Sequence, residues 1–118
     1  MVLDTGLKGS HMIITGGTRG IGQSIVATFL REGANVSYCA RTVTGQEFAE
    51  IKGAGFGDAV GTAVDVSSKE AVVEWVKKSG EKFGRIDSVI ANGPYFLFYL
   101  AAKFCELLMK YCAHIESL

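Results

Sequence analysis

The chain has no excess charge of either sign, no apolar leader and no paired-cysteine motif. Twelve Lys and Arg balance twelve Asp and Glu over 118 residues, so the formal net charge is zero. That balance leaves no electrostatic footprint for nucleic acid or for an anionic membrane. The first residues carry Asp4 and Lys8 and no run of apolar side chains, which argues against a secretory signal. The three cysteines, Cys39, Cys105 and Cys112, are odd in number and form no C-x-x-C. Cys105 and Cys112 would lie two turns apart on one helix face, too far to bridge. The expectation is three small apolar side chains in a reducing cytoplasm, with no disulfide and no metal. A chain of this length is one domain at most.

What is present begins with the apolar run Met12-Ile13-Ile14, followed by Thr15-Gly16-Gly17-Thr18-Arg19-Gly20-Ile21-Gly22 and a helical pattern through Leu30. Strand, glycine-rich turn and helix in that order let backbone N–H groups approach a pyrophosphate at a helix N-terminus. Gly16 permits a sharp turn off the strand, Gly20 removes a side chain that would meet phosphate, and Gly22 lets the helix pack close to the sheet. The spacing is G-x-x-x-G-x-G. It is not the general G-x-G-x-x-G, and no Gly-Lys-Ser/Thr follows to make it a Walker A loop. The stretch Gly9-Ser10-His11-Met12 is similar to an expression-tag scar but lies inside the chain, so it reads as native, with His11 a surface or edge residue rather than a ligand.

The glycine turn with Thr before its first glycine resembles the short-chain dehydrogenase/reductase family. Two further marks follow in order: Asp65-Val66 at the end of a third apolar run, and Gly84-Arg85-Ile86-Asp87 before a fourth, Ser88 to Asn92. The resemblance covers about residues 7–92, and the family's usual domain is about twice the length of this chain.

Period and punctuation give a β-α-β-α-β-α-β series. Strands are expected near 11–15, 36–40, 59–64 and 86–91, with helices near 21–32, from Gln46 to Lys52 with Thr44 as its cap, and from a capping box at Ser67-Ser68-Lys69-Glu70 to Lys82. The fold class is α/β, a truncated Rossmann-type doubly wound parallel sheet of order 3-2-1-4, with the ligand at the switch point between strands one and four. Residues 1–94 form the dinucleotide-binding half-domain. Residues 95–118 differ: they hold six of the twelve aromatics and no Gly or Asp. They suit an apolar helix whose thin polar stripe is Lys103, Glu106, Lys110 and His114, and those charges make it a poor membrane span. Three readings of that tail stay open: a helix packed on the sheet, a helix packed on another chain, or residues that never evolved for this fold, as after a frameshift or altered splice.

The resemblance implies that the backbone around Gly16, Thr18, Arg19, Gly20, Ile21 and Gly22 meets the cofactor's phosphates. It implies that Asp65 accepts from the adenine amino group, that Val66 lines the adenine pocket, and that Asn92 belongs to the Asn turn after strand four, although Ala91-Asn92-Gly93-Pro94 departs from the family's Asn-Asn-Ala-Gly. An acid at the end of strand two would bind a ribose 2′-OH, whereas an Arg suits a 2′-phosphate. Here Ala40-Arg41 stands there with no acid between Asn35 and Gln46, and Arg19 adds a second cation, so the expected cofactor is NADP.

The family's chemistry is hydride transfer between the nicotinamide and a carbonyl or alcohol. It uses a Ser and a Tyr-x-x-x-Lys in which the cation lowers the Tyr pKa. That pair lies roughly sixty residues after the Asn turn, and this chain ends before it. The literal Tyr99-Leu100-Ala101-Ala102-Lys103 starts ahead of any fifth strand and is read as chance. No catalytic residue is therefore assigned, and the chain is expected to bind the dinucleotide without turning over substrate alone. The alternative is an interaction module that associates through residues 95–118, with a second copy or with a full-length relative.

Overall fold

The structure, a computed structural model, describes residues 6–90. Asn92, Tyr99, Lys103, Cys105, Cys112 and the expected C-terminal helix lie outside the described residues. The elements run β1 (His11–Thr15), α1 (Gly20–Arg31), β2 (Asn35–Ala40), β3 (Ala59–Ala63), α2 (Lys69–Phe83) and β4 (Ser88–Ile90). All pairings are parallel, as the alternation of strands and helices predicts, and the sheet order is β3-β2-β1-β4, as expected of a Rossmann-type sheet. Ile13 pairs with Ser37 on one side and with Val89 on the other, so β1 is central.

The two sheet faces are read from alternate residues. Met12 and Ile14 of β1 and Val36 and Tyr38 of β2 pack with Val26 and Leu30 of α1. Ile13 and Cys39 point the other way and pack with Val72, Trp75 and Val76 of α2. Helices therefore cover opposite faces, which is the doubly wound arrangement. In α1 the buried residues are Gly22, Val26 and Leu30, one per turn. Fully burying Leu30 contributes roughly 1.5–3 kcal/mol relative to exposure. Helix α2 buries Val72, Trp75, Val76 and Ser79 on one stripe and stops at Gly84, whose φ of 72° closes the helix in the left-handed conformation.

Three expectations need correction. Residues 46–52 form successive turns rather than a helix: Ala49 N–H donates to Gln46 O and Ile51 N–H to Phe48 O, both at i to i+3. The segment is short, and Gly45 and Gly53 on either side have φ of 84° and 127°. A helix so short cannot recover its nucleation cost, and burial of Phe48 and Ile51 fixes the turns instead. The α2 cap is Ser68, whose Oγ accepts from Ala71 N–H, and not Ser67, which bonds to Asp65. His11 is neither at the surface nor on an edge. It is completely buried in the central strand, with Nδ1 2.6 Å from Arg85 O and Nε2 2.7 Å from Ser37 Oγ. A carbonyl only accepts, so Nδ1 carries the proton and Nε2 accepts from the serine. The ring lies 4.4 Å from that of Phe83, and Asp87 accepts from the His11 N–H, so the start of β1 is tied to the α2–β4 connection.

Candidate functional site

The C-terminal ends of the strands carry the expected site. After Thr15 the chain turns at Gly16 with φ of 69°, and the amides of Gly16 and Gly17 donate to Cys39 O at 2.9 and 3.2 Å. The glycine turn therefore hangs on the end of β2. Gly20 has φ of 53°, and a Cβ added there would meet nothing within 4 Å. Its glycine is required first by backbone conformation, a reason the sequence does not show, and the space beside it is open. Arg19 takes the N-cap position of α1 without capping it by its side chain, and the first turn holds no acid. A helix start with uncapped amides and no local negative charge suits an anion. Gly22 is buried toward the sheet as its spacing implies, Thr18 is half-buried, and Arg19 and Ile21 are exposed.

A groove of about 820 Å³ follows α1 from Gly20 and Ile21 to Thr28 and Phe29 and reaches Ile90 of β4. It lies on the β1–β4 side, where the strand order reverses. Arg41, Asp65 and Val66 are not in its lining. They stand at the ends of β2 and β3, so the residues singled out in the sequence fall into two groups along the top of the sheet.

In the second group Arg41 is exposed immediately after β2. Asp65 is exposed after β3, and its Oδ1 accepts from Ser67 Oγ at 2.7 Å and Ser67 N–H at 3.0 Å. Those bonds hold its carboxyl below the usual range, with a smaller contribution from the positive charge of Arg41. Val66 is half-buried against the core under α2.

The structure adds three residues that sequence reasoning missed. Tyr38 is buried in β2, edge-on to Phe48 with ring centroids 5.0 Å apart. A Cβ on Gly17 would lie 2.6 Å from Tyr38 Cβ, so Gly17 is there for close approach rather than for a special φ. The Tyr38 hydroxyl donates to Glu47 Oε1 at 2.7 Å. Glu47 also accepts from Gly45 N–H at Oε1, and from Thr44 N–H and Thr44 Oγ1 at Oε2. The Thr44 amide first, among these donors, lowers the Glu47 pKa to about 2. Burial, then Glu47, pushes the Tyr38 phenol well above its ordinary value. One signal for Glu47 was available: Thr44-Gly45-Gln46-Glu47 has capping-box spacing, and Glu47 makes the back-bond to the Thr44 amide although no helix follows.

Cys39 is fully buried and burial pushes its thiol up to about 12, so it behaves as the expected small apolar side chain. Among the described residues no group of three His, Cys, Asp or Glu could hold a metal, and no helix is long and apolar enough to cross a membrane.

The model of the family described as short chain dehydrogenase matches residues 10–108. The chain is 59% identical over 96 residues to the isoepoxydon dehydrogenase of Aspergillus clavatus, covering 78% of this chain and 37% of that protein. A short chain dehydrogenase from Burkholderia cenocepacia, solved in complex with NADP, shares the fold at a TM-score of 0.77 and 21% identity, over 90% of this chain and 52% of that one. A 3-ketoacyl-(acyl-carrier-protein) reductase from Brucella melitensis, solved with NADH, aligns at a TM-score of 0.61 and 30% identity, over 70% of this chain and 33% of that one. The chain thus spans little more than a third of the length of that isoepoxydon dehydrogenase.

Proposed function

The chain belongs to the short-chain dehydrogenase family, and from that premise we propose that it supplies the cofactor-binding half of an oxidoreductase and prefers NADP(H). The backbone of Gly16, Thr18, Arg19, Gly20, Ile21 and Gly22 receives the phosphates. The open space at Gly20 and the uncapped, acid-free start of α1 fit such a group. Asp65 accepts from the adenine amino group, Val66 and Asn92 complete the surroundings of the dinucleotide, and Arg19 and Arg41 bind the ribose phosphate. When bound, the cofactor supplies or accepts the hydride. The residues of this chain bind and orient it, and the proton-transferring Ser and Tyr-x-x-x-Lys of the family come from sequence beyond the matched half.

One observation carries the choice of NADP(H): Arg41 stands at the end of β2, while the nearest acid that follows, Glu47, has both oxygens engaged by Tyr38, Thr44 and Gly45. A fluorescence titration with each cofactor tests it. NADPH binds more tightly than NADH, and Arg41→Ala removes a charge-assisted contact worth about 1.5–3 kcal/mol from NADPH alone. Equal affinities in the parent chain sink the proposal. The 59% identity extends it to substrate: a longer protein carrying this half has an activity of the isoepoxydon dehydrogenase kind. The same proposal places the chain in the cytoplasm and includes association with a second copy or with a full-length relative, which light scattering over a concentration series measures.

A further inference from the structure

We propose that Glu47, acting with Tyr38, is a positioning residue for cofactor choice: together they pin the loop after β2 so that Arg41 meets a phosphorylated ribose and no carboxylate is left to accept from an unphosphorylated one. This rests on the NADP(H) reading above and names how the site enforces it.

The loop leaves β2 at Ala40, carries Arg41 and Thr42, and re-enters the core at Phe48. Between those points Glu47 gathers four donors. Its Oε1 accepts from Tyr38 Oη at 2.7 Å and Gly45 N–H at 3.1 Å, and its Oε2 accepts from Thr44 N–H at 2.6 Å and Thr44 Oγ1 at 3.0 Å. Thr44 Oγ1 in turn accepts from Gln46 N–H at 3.1 Å. A carboxylate so occupied is fixed in place and cannot also receive a ribose hydroxyl without giving up bonds.

Tyr38 makes the arrangement more than a local turn. Its side chain fills space that a Cβ on Gly17 or on Gly61 would invade, at 2.6 Å from Cβ and 2.5 Å from Cζ respectively. The ring therefore touches the glycine turn on one side and β3 on the other, and its hydroxyl reaches the loop. Phosphate turn and ribose loop are braced by one side chain. Neither residue contacts a reacting atom, so their effect passes through Arg41 and through withholding Glu47.

The test compares the ratio of NADPH to NADH affinity, by fluorescence titration of the full chain, in the parent, Tyr38→Phe, Glu47→Gln and Arg41→Ala. Tyr38→Phe keeps the ring against Gly17, Gly61 and Phe48 and deletes only the hydroxyl, so it is the deciding variant, and circular dichroism melts confirm folding. The expected result is a ratio lowered roughly three- to thirtyfold in Tyr38→Phe and Glu47→Gln, the range for disturbing one hydrogen-bonded network. NADH affinity is unchanged or raised. A bracing role in stability alone lowers both affinities together and leaves the ratio fixed, which overturns the inference. If Arg41→Ala lowers the ratio and Tyr38→Phe does not, this inference fails while the NADP(H) reading stands. If Arg41→Ala also leaves the ratio unchanged, both fail.

Discussion

Replacing Gly17 by Ala should destabilise the fold, although Gly17 needs no unusual backbone angle. The added Cβ would lie 2.6, 3.1 and 3.2 Å from Cβ, Cγ and Cδ2 of Tyr38. Carbon atoms rest near 3.5–4.0 Å apart, so about 1 Å must be found. Tyr38 cannot easily give it, because Phe48, Gly61 and the bond to Glu47 hold the ring. The turn cannot easily give it either, because its retreat stretches the bonds from Gly16 and Gly17 to Cys39 O. Overpacking of this kind costs roughly 1–3 kcal/mol, and a weakened hydrogen bond adds about 1 kcal/mol. Restricting the unfolded chain returns about 0.4–1 kcal/mol. The net expectation is a loss of roughly 1–3.5 kcal/mol, measured as a lower urea midpoint at unchanged slope. Gly20→Ala is the control. It meets no atom within 4 Å and is penalised only by its φ of 53°, so pairing each change with Tyr38→Gly, which removes the Cβ as well as the ring, should show coupling for Gly17 and none for Gly20. A Gly17→Ala midpoint equal to the parent's refutes the packing argument.

The contrast between those two glycines marks how far the sequence could be read. Period and glycine spacing located all four strands and the two described helices to within about two residues, because apolar runs and turn residues are local signals. Parallel pairing followed from the alternation of strands and helices, and the order β3-β2-β1-β4 is that of the Rossmann-type fold the resemblance implied. The first glycine of the turn was readable as a turn residue. Gly17 was not, since its reason lies twenty-one positions away in Tyr38. His11 was misread for the same cause: its partners Ser37, Arg85 and Asp87 come from β2 and from the approach to β4, and only the assembled sheet shows that Arg85 and Ser37 satisfy both ring nitrogens while Asp87 holds the backbone N–H. The helix expected at 46–52 failed because helical spacing of Phe48 and Ile51 is equally met by consecutive turns when glycines bound so short a segment.

Two further predictions concern chemistry and pH. The chain alone should show no carbonyl reduction with a panel of aldehydes and ketones, and turnover that disappears in Tyr99→Phe would make Tyr99 and Lys103 a working pair. Stability should fall between neutral and mildly acidic pH because of His11. Burial lowers its folded-state pKa from 6.5, outweighing the Arg85 carbonyl and the Asp87 charge, so the folded ring stays neutral where the unfolded one takes up a proton. The unfolded state then binds more protons, and stability is lost as pH drops through 6.5 toward the lowered folded value, below which the loss is complete. Glu47 and Asp65 have their carboxyl pKa values shifted downward, so their own losses begin in more acidic solution. Urea midpoints at pH 7.0 and pH 5.5 should therefore differ in the parent, by at most about 1.4 kcal/mol per pH unit for one proton. The difference should shrink in His11→Gln, whose amide can still donate toward Arg85 O but does not titrate. A parent chain equally stable at both values would mean that the ring accepts a proton in place, and that its contacts with Arg85 and Ser37 do not hold it neutral.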